Sequence, residues 1–289
     1  MARPAVQSDA RHTLIAVMFV SALSAAGIAL PYPILTPIFL ADTQTELTSY
    51  LDIHPKMLLG IALAFYPLGV LISNSFIGGL SDRYGRRRMM IVTLAGGAGG
   101  YILSGFALFI EDYPLFVLSR LFVGICHGNG AIAQAIAADL HPAVDRTRAL
   151  SLLDAARSVG WAFGPLVGAY LMLFGASTAF YVAGVMLLIA MVLARLVISE
   201  SAAFRSDAGD STWRTIWREN SFNLLGSPGI TRLFCVHCSV NLGLGAYFEY
   251  YPAWLVEAFG FGPLGIAYWT SAITAATILT SGFAVPAVA

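Results

Sequence analysis

The sequence predicts an all-α, polytopic transmembrane protein, and three observations carry that prediction. Hydrophobic residues make up 58% of the 289 residues and charged residues only 11%, with a mean hydropathy of +0.76. A water-facing domain carries about 25% charged residues, so this chain has too little charge to coat such a surface. The apolar residues fall into about eight runs, each near the roughly 20 residues a helix needs to cross a bilayer. The short segments between the runs alternate between basic and acidic. Net charge is zero, so the placement of the charges says more than their sum.

The runs are 13–40, 57–80, 89–110, 114–138, 148–173, 177–198, 230–255 and 263–287. Arg11 before residues 12–30 leaves a signal peptide as the alternative for the first. That run continues to Leu40 without a small-residue cleavage site, which favours a span. Arg3 and Arg11 precede span one. Arg83 and Arg86–Arg88 follow span two, Arg146 and Arg148 follow span four, and Arg205, Arg214 and Arg218 follow span six. The other loops hold Asp42, Glu46, Asp52, Glu111, Asp112 and Glu257, with Lys56 the lone base. Lysine and arginine mark the cytoplasmic side, so both termini are expected there, in a multi-pass protein of the cell membrane.

Span one contains Pro31, Pro33 and Pro37 in "GIALPYPILTPIF". Such breaks in helical hydrogen bonding are tolerated in a membrane when buried or lining a cavity. Pro31 and Tyr32 are therefore expected at a cavity; the alternative is a kinked outer end. After span two comes "GGLSDRYGRRRMM", residues 78–90, five charges in a very short turn. Gly85 can supply the positive φ that closes a helix. Gly78 and Gly79 are expected to admit a close neighbouring helix. Asp82 lies beside the start of span three, whose free N–H groups favour an anion. "GGAGG", 96–100, lacks the features of a phosphate loop and reads as close helix packing.

Span four carries Arg120, a functional candidate because charge within a span is costly; outward snorkelling is the alternative. His127 and Asn129, and Asn241 in span seven, are midplane polar groups that suit a binding site or interhelical hydrogen bonds. In span five Asp154 and Arg157 share a helix face, as a structural ion pair or in proton handling. The same span has Gly160, Gly164 and Gly168 one turn apart, with Pro165 interrupting the backbone bonding. These form a packing seam, and the functional reading has the seam facing another helical half. Span seven carries Glu249 among Tyr247, Tyr250, Tyr251 and Trp254, which also resemble an outer aromatic belt. "CVHC", Cys235–Cys238, suggests a metal or redox pair, but buried cysteines commonly serve as small apolar fillers. No metal, cofactor or disulfide framework is expected.

Three of these stretches together resemble the major facilitator superfamily, in particular its drug/proton antiporter branch. Gly78-x-Leu80-Ser81-Asp82-Arg83-x-Gly85-Arg86-Arg87 is similar to the family's loop signature between helices two and three. Arg120 followed by Gly124 is similar to its helix-four motif. Gly160-x-x-x-Gly164-Pro165-x-x-Gly168-Ala169 is similar to its antiporter motif, with Ala169 at the usual final glycine. The resemblance covers residues 10–200 well. It implies two six-helix halves that move a small solute by alternating access, the loop acting as a conformational latch. Helices one, four, seven and ten then surround the central path, so Arg120 and Glu249 are expected to interact across it, directly or through substrate or water.

The resemblance implies residues 1–198 as the first half, 199–229 as a cytoplasmic linker and 230–289 as part of the second. Trp213, Ile216 and Trp217 with Arg214 and Arg218 suit a surface helix or a plain flexible linker. Two spans follow where six are implied, so the chain is expected to be a fragment or truncated product. The expected function is proton-coupled efflux of a small molecule, by a protein that is monomeric when complete. Uptake by a symporter or facilitator of the same fold, and a non-transporting fragment, remain alternatives. An enzyme or receptor would need a clustered catalytic site that the spacings do not offer, and no nucleic-acid partner is expected.

Overall fold

The computed structural model describes residues 4–41, 45–198 and 227–279, all in helices and short connections. The helices are α1 (Pro4–Ala29), α2 (Tyr32–Leu40), α3 (Pro55–Tyr84), α4 (Arg86–Phe109), α5 (Tyr113–Ile125), α6 (Asn129–Asp139), α7 (Arg146–Leu171), α8 (Ala176–Val197), α9 (Pro228–Phe259) and α10 (Pro263–Leu279). Single 3₁₀ turns occupy Tyr50–Asp52 and Met172–Phe174.

Among the described residues, five spans are long and apolar enough to cross a membrane: Ala10–Leu40, Pro55–Tyr84, Arg86–Phe109, Tyr113–Asp139 and Ala176–Val197. The fifth, seventh and eighth expected spans are present as helices, but α7 carries Arg146, Arg148, Asp154 and Arg157, and α10 is 17 residues long. Large side chains such as Phe19, Leu71, Leu118, Phe163 and Leu196 stand exposed on the outside. Tyr101, Phe116, Phe180, Leu58 and Met90 fill the interior. Closed helices with apolar flanks are what hydrocarbon demands, because every backbone N–H must be satisfied internally.

Two expected spans are each two helices. Span one breaks at Leu30–Pro31 and span four at Cys126–Gly128. Proline explains the first break, since it supplies no N–H and clashes with the preceding turn.

The charged segments gather at opposite ends of the bundle. At one end Gly85 alone joins α3 to α4, with φ 95°, its N–H donating to the Ser81 carbonyl at 3.1 Å. There Arg86 reaches Asp139 at the end of α6, and Arg87 Nη2 donates to the Arg195 carbonyl at the end of α8, 2.5 Å away. At the other end Glu111 Oε2 accepts from the Glu46 N–H at 3.0 Å, and Lys56 Nζ meets Glu257 Oε1 at 2.7 Å. Helix starts there are capped by side chains: Asp112 Oδ1 accepts from the Leu115 N–H at 2.8 Å.

α7 lies along α1, α4 between α5 and α8, and α3 against α5; α10 leans on α7 and α2. The glycine stripe of α7 is a packing seam, but its partner is α1. A Cβ at Gly160 would collide with the Ala22 carbonyl, one at Gly168 with the Leu30 carbonyl, and one at Gly164 would lie 2.7 Å from the Ala29 Cβ. The expectation that this stripe faces another half is therefore corrected: it is spent within the first six spans. A different edge of α7 meets α10, where Ser271 Oγ donates to the Ala162 carbonyl at 2.7 Å. The expectation for Gly78 and Gly79 is corrected too, because a Cβ at either would meet nothing among the described residues within 4 Å. In "GGAGG", Gly96 receives Cys126 and Gly100 receives Val123, whereas Gly99 faces open space.

The linker expected at 199–229, with Trp213, Arg214, Ile216, Trp217 and Arg218, lies outside the described residues except for its last three positions. So do residues 280–289 and the side chains of Asn241 and Glu249.

Candidate functional site

Both helix breaks open onto the middle of the bundle. Pro31 and Tyr32, at the first break, line a chamber of about 50 Å3 together with Leu63, Arg120 and Pro252. His127 and Asn129, at the second, line a chamber of about 100 Å3 with Ser21, Ser24 and Arg157. Ile28, Tyr66 and Trp161 belong to the walls of both. The upper chamber lies toward the acidic end and the lower toward the basic end.

Tyr66 links the two. Its hydroxyl is 3.1 Å from His127 Nδ1, and the Arg120 guanidinium carbon lies 4.8 Å from its ring centroid. The ring of Tyr101 lies on Arg120 as well, at 5.9 Å. Arg120 is only 8% exposed, and its Nε and Nη1 are buried without a hydrogen-bond partner. It does not snorkel. Holding a charge inside a span costs about 3 kcal/mol on insertion scales, and two cation–π faces recover part of that. The Tyr101 hydroxyl offers the guanidinium one acceptor, while Nε and Nη1 keep their donor capacity.

Asn129 Nδ2 donates to Ser24 Oγ, joining the start of α6 to α1. Asp154 and Arg157 form the expected i,i+3 pair at 3.5 Å, both partly exposed, with Arg157 also reaching the lower chamber. Tyr32 packs edge-on against Trp161, with centroids 6.2 Å apart, and near Tyr251 at 6.3 Å. Thr270 Oγ1 donates to the Ile266 carbonyl at 2.7 Å and contacts the Tyr251 hydroxyl, which ties α2, α9 and α10 together at this level. Whether Glu249 faces Arg120 rests on a side chain outside the described residues. Cys235 and Cys238 are exposed, whereas Cys126 is half-buried against Gly96. No group of metal-ligating side chains forms among the described residues.

In the loop signature Arg86 is bound twice. Its Nη2 lies 3.4 Å from Asp82 Oδ1 and its Nε 3.0 Å from Asp139 Oδ2. Arg83 stacks over the Tyr84 ring at 5.4 Å. Gly78 lends its carbonyl to the Ser81 hydroxyl at 3.0 Å.

Sequence reasoning missed Tyr66, Ser24, Trp161 and Asp139. Pro67 inside α3 marks the turn that carries Tyr66, as the prolines of span one marked Tyr32. Asp139 is the acidic residue at the basic end of span four, a charge-sign exception legible in "AIAADLH". Gly69 was missed as well: α3 crosses α5 where Gly69 meets Gly124, and a Cβ on either would strike the other helix's backbone.

Comparison with known proteins places this geometry. The chain is 30% identical over 189 residues to the class H tetracycline resistance protein of Pasteurella multocida, covering 65% of this chain and 45% of that protein. It is 27% identical over 214 residues to multidrug resistance protein 2 of Bacillus subtilis, covering 72% and 52%. The chain thus spans about half the length of these relatives. Its fold superposes on the human organic anion transporter MFSD10 with a TM-score of 0.69 at 20% identity, covering 96% of this chain and 71% of that one. It superposes on a D-xylose-proton symporter with a TM-score of 0.63 at 16% identity, covering 96% and 68%. The sequence profile of the Major Facilitator Superfamily matches residues 17–289. With membrane-length helices and the same fold, this chain belongs to the Major Facilitator Superfamily.

Proposed function

We propose that the chain forms the working part of a secondary transporter that expels a small solute in exchange for protons by alternating access. Residues 1–198 make the first six-helix half, 199–229 a cytoplasmic linker and 230–289 the beginning of the second half. The carrying observation is the central cavity: two broken spans, a buried arginine with unused donors, and Tyr66 and His127 in hydrogen-bond contact beside it. Polar groups at half-depth, on interrupted helices, are where transporters of this architecture hold solutes and coupling ions. The efflux direction is supported by the resistance proteins among the relatives. Arg86, bridging Asp82 and Asp139, serves as the latch that holds the inner ends of α3, α4 and α6 in one state. The complete protein acts as a monomer in the cell membrane with both ends of this chain inside.

The test is accumulation of tetracycline and of ethidium in efflux-deficient bacteria that express the complete protein. Lower accumulation than in vector controls, restored by an uncoupler, is the expected result. Unchanged or raised accumulation of both, at confirmed membrane abundance, rejects export of this kind. Topology is tested by single cysteines in a cysteine-free background. Labels applied from outside are expected to react at positions 45 and 112 and not at 210; the reverse rejects the orientation.

A further inference from the structure

α9 is held at one end. From Arg232 to Phe248 every described residue of it is exposed. A packed helix buries one stripe along its length, so this stretch, more than four turns, has no covered stripe among the described residues. Within one turn the pattern reverses, and Tyr251, Pro252 and Leu255 are buried. The Tyr251 ring lies 6.3 Å from that of Tyr32 on α2, and its hydroxyl contacts Thr270 on α10. The Tyr250 hydroxyl approaches α3, 3.7 Å from where a Gly60 Cβ would stand.

Beyond this contact, toward the acidic end, lies one ion pair. Lys56 Nζ at the start of α3 meets Glu257 Oε1 near the end of α9 at 2.7 Å, with both side chains about half exposed. Among the described residues it is the one salt bridge that joins the first six spans to α9 and α10. At the helical rise per residue, Glu257 stands roughly 9 Å along α9 from Tyr251, and Leu233 roughly 27 Å from it on the other side. A short arm and a long arm thus extend from one fixed contact. A tilt about Tyr251 that moves Glu257 slightly moves the basic end of α9 about three times as far, by the ratio of those arms.

We propose that Lys56 and Glu257 form a clasp that sets the tilt of α9 about Tyr251. With the pair made, the acidic ends of α3 and α9 are drawn together and the basic end of α9 is held away from the bundle. With the pair broken, the acidic ends part and the basic end of α9 swings toward α3. The proposal rests on reading the chain as an alternating-access transporter, and it names the two groups that bias the exchange between its states. Exposure to water keeps the hold weak. A weak hold suits a clasp, because a bias of modest size leaves both arrangements populated.

The test uses the purified chain in neutral detergent micelles, with Cys126, Cys235 and Cys238 replaced by alanine and spin labels placed in pairs. Phe109→Cys with Ala258→Cys reads the acidic end, and Gly79→Cys with Leu233→Cys reads the basic end; all four positions are exposed. Double electron–electron resonance gives the distance populations. Lys56→Gln and Glu257→Gln should each raise the population with a longer acidic-end and a shorter basic-end distance by roughly two- to fivefold, the scale of one exposed ion pair. Lys56→Glu combined with Glu257→Lys should restore the starting ratio. Salt at about 1 M should act on the unaltered chain as the single substitutions do and leave those variants unmoved, since screening weakens the pair. Unchanged distances in both single variants overturn the proposal. Lengthening at the acidic end with a fixed basic-end distance also overturns it, because α9 then bends at Pro252 instead of tilting. Failure of export in cells with the coupled distance change intact supports the clasp and counts against the transport reading alone.

Discussion

Arg86 and Arg120 sit on helices that both meet α3, and they are held in opposite ways. Arg86 is at the rim, one-fifth exposed, with a carboxylate on each side from α3 and α6. Arg120 is in the interior, in contact with two aromatic rings and with buried donors that meet no acceptor. A paired charge at a rim contributes to stability because it is satisfied in the resting structure. A buried donor left over contributes nothing there, and costs, unless something arrives to use it. The contrast separates an arginine that holds the structure from one that the structure holds for another purpose.

Replacement of Arg120 gives the largest expected effect. Arg120→Gln in the complete protein should lower transport by roughly a hundredfold, the scale of losing one buried charge-assisted contact. Its melting temperature should not fall, since an unpaired buried charge has been removed. A lower melting temperature with intact transport would reverse the contrast. Arg86→Gln should do the opposite: cost about 1 kcal/mol of stability in a detergent melt, because a partly covered pair with Asp139 and a more exposed one with Asp82 are lost, and slow transport only several-fold.

The two partners of Arg86 sharpen the contrast further. Asp139 is closer and less exposed than Asp82. Asp139→Asn should therefore cost more stability than Asp82→Asn, by about 0.5 kcal/mol. In transport, Asp82→Asn should act more strongly than Arg88→Gln, since Arg88 is exposed; equal rates at equal abundance would remove Asp82 from the latch. The smallest effect is expected at Gly78→Ala, which meets open space. A measurable loss there, in transport or in the melt, would show that the rim has a partner beyond the described residues.

Much of this is legible in the sequence. Low charge and apolar run length mark the spans, though not the breaks that divide two of them, and Gly85 announces the single-residue turn through the need for a positive φ. Arg120, His127 and Asn129 stood out because polar groups are rare in such runs. Partners were harder. Glycine spacing in α7 signals a tight seam but carries no information on which helix fills it, and α1 does so because its own alanines at 22, 26 and 29 are small. Tyr66 looked like one of several aromatics, since only the crossing of α3 and α5 puts it under Arg120. Asp139 needed the third dimension as well: its separation from Arg86 in sequence hides a 3.0 Å contact.

The crossing of α3 and α5 has one more consequence. Gly124 lies directly against the Tyr66 carbonyl, so the backbone that carries the Tyr66 ring is as deep in the bundle as two touching main chains allow. Position 124 faces away from both chambers, yet it acts as a depth gauge for the site. Any side chain there pushes Tyr66 outward, loosening its contacts with Arg120 and His127 together. An evolving lineage therefore has a remote dial: alternating small residues at position 124 would retune what the cavity accepts while every residue that touches the solute stays the same.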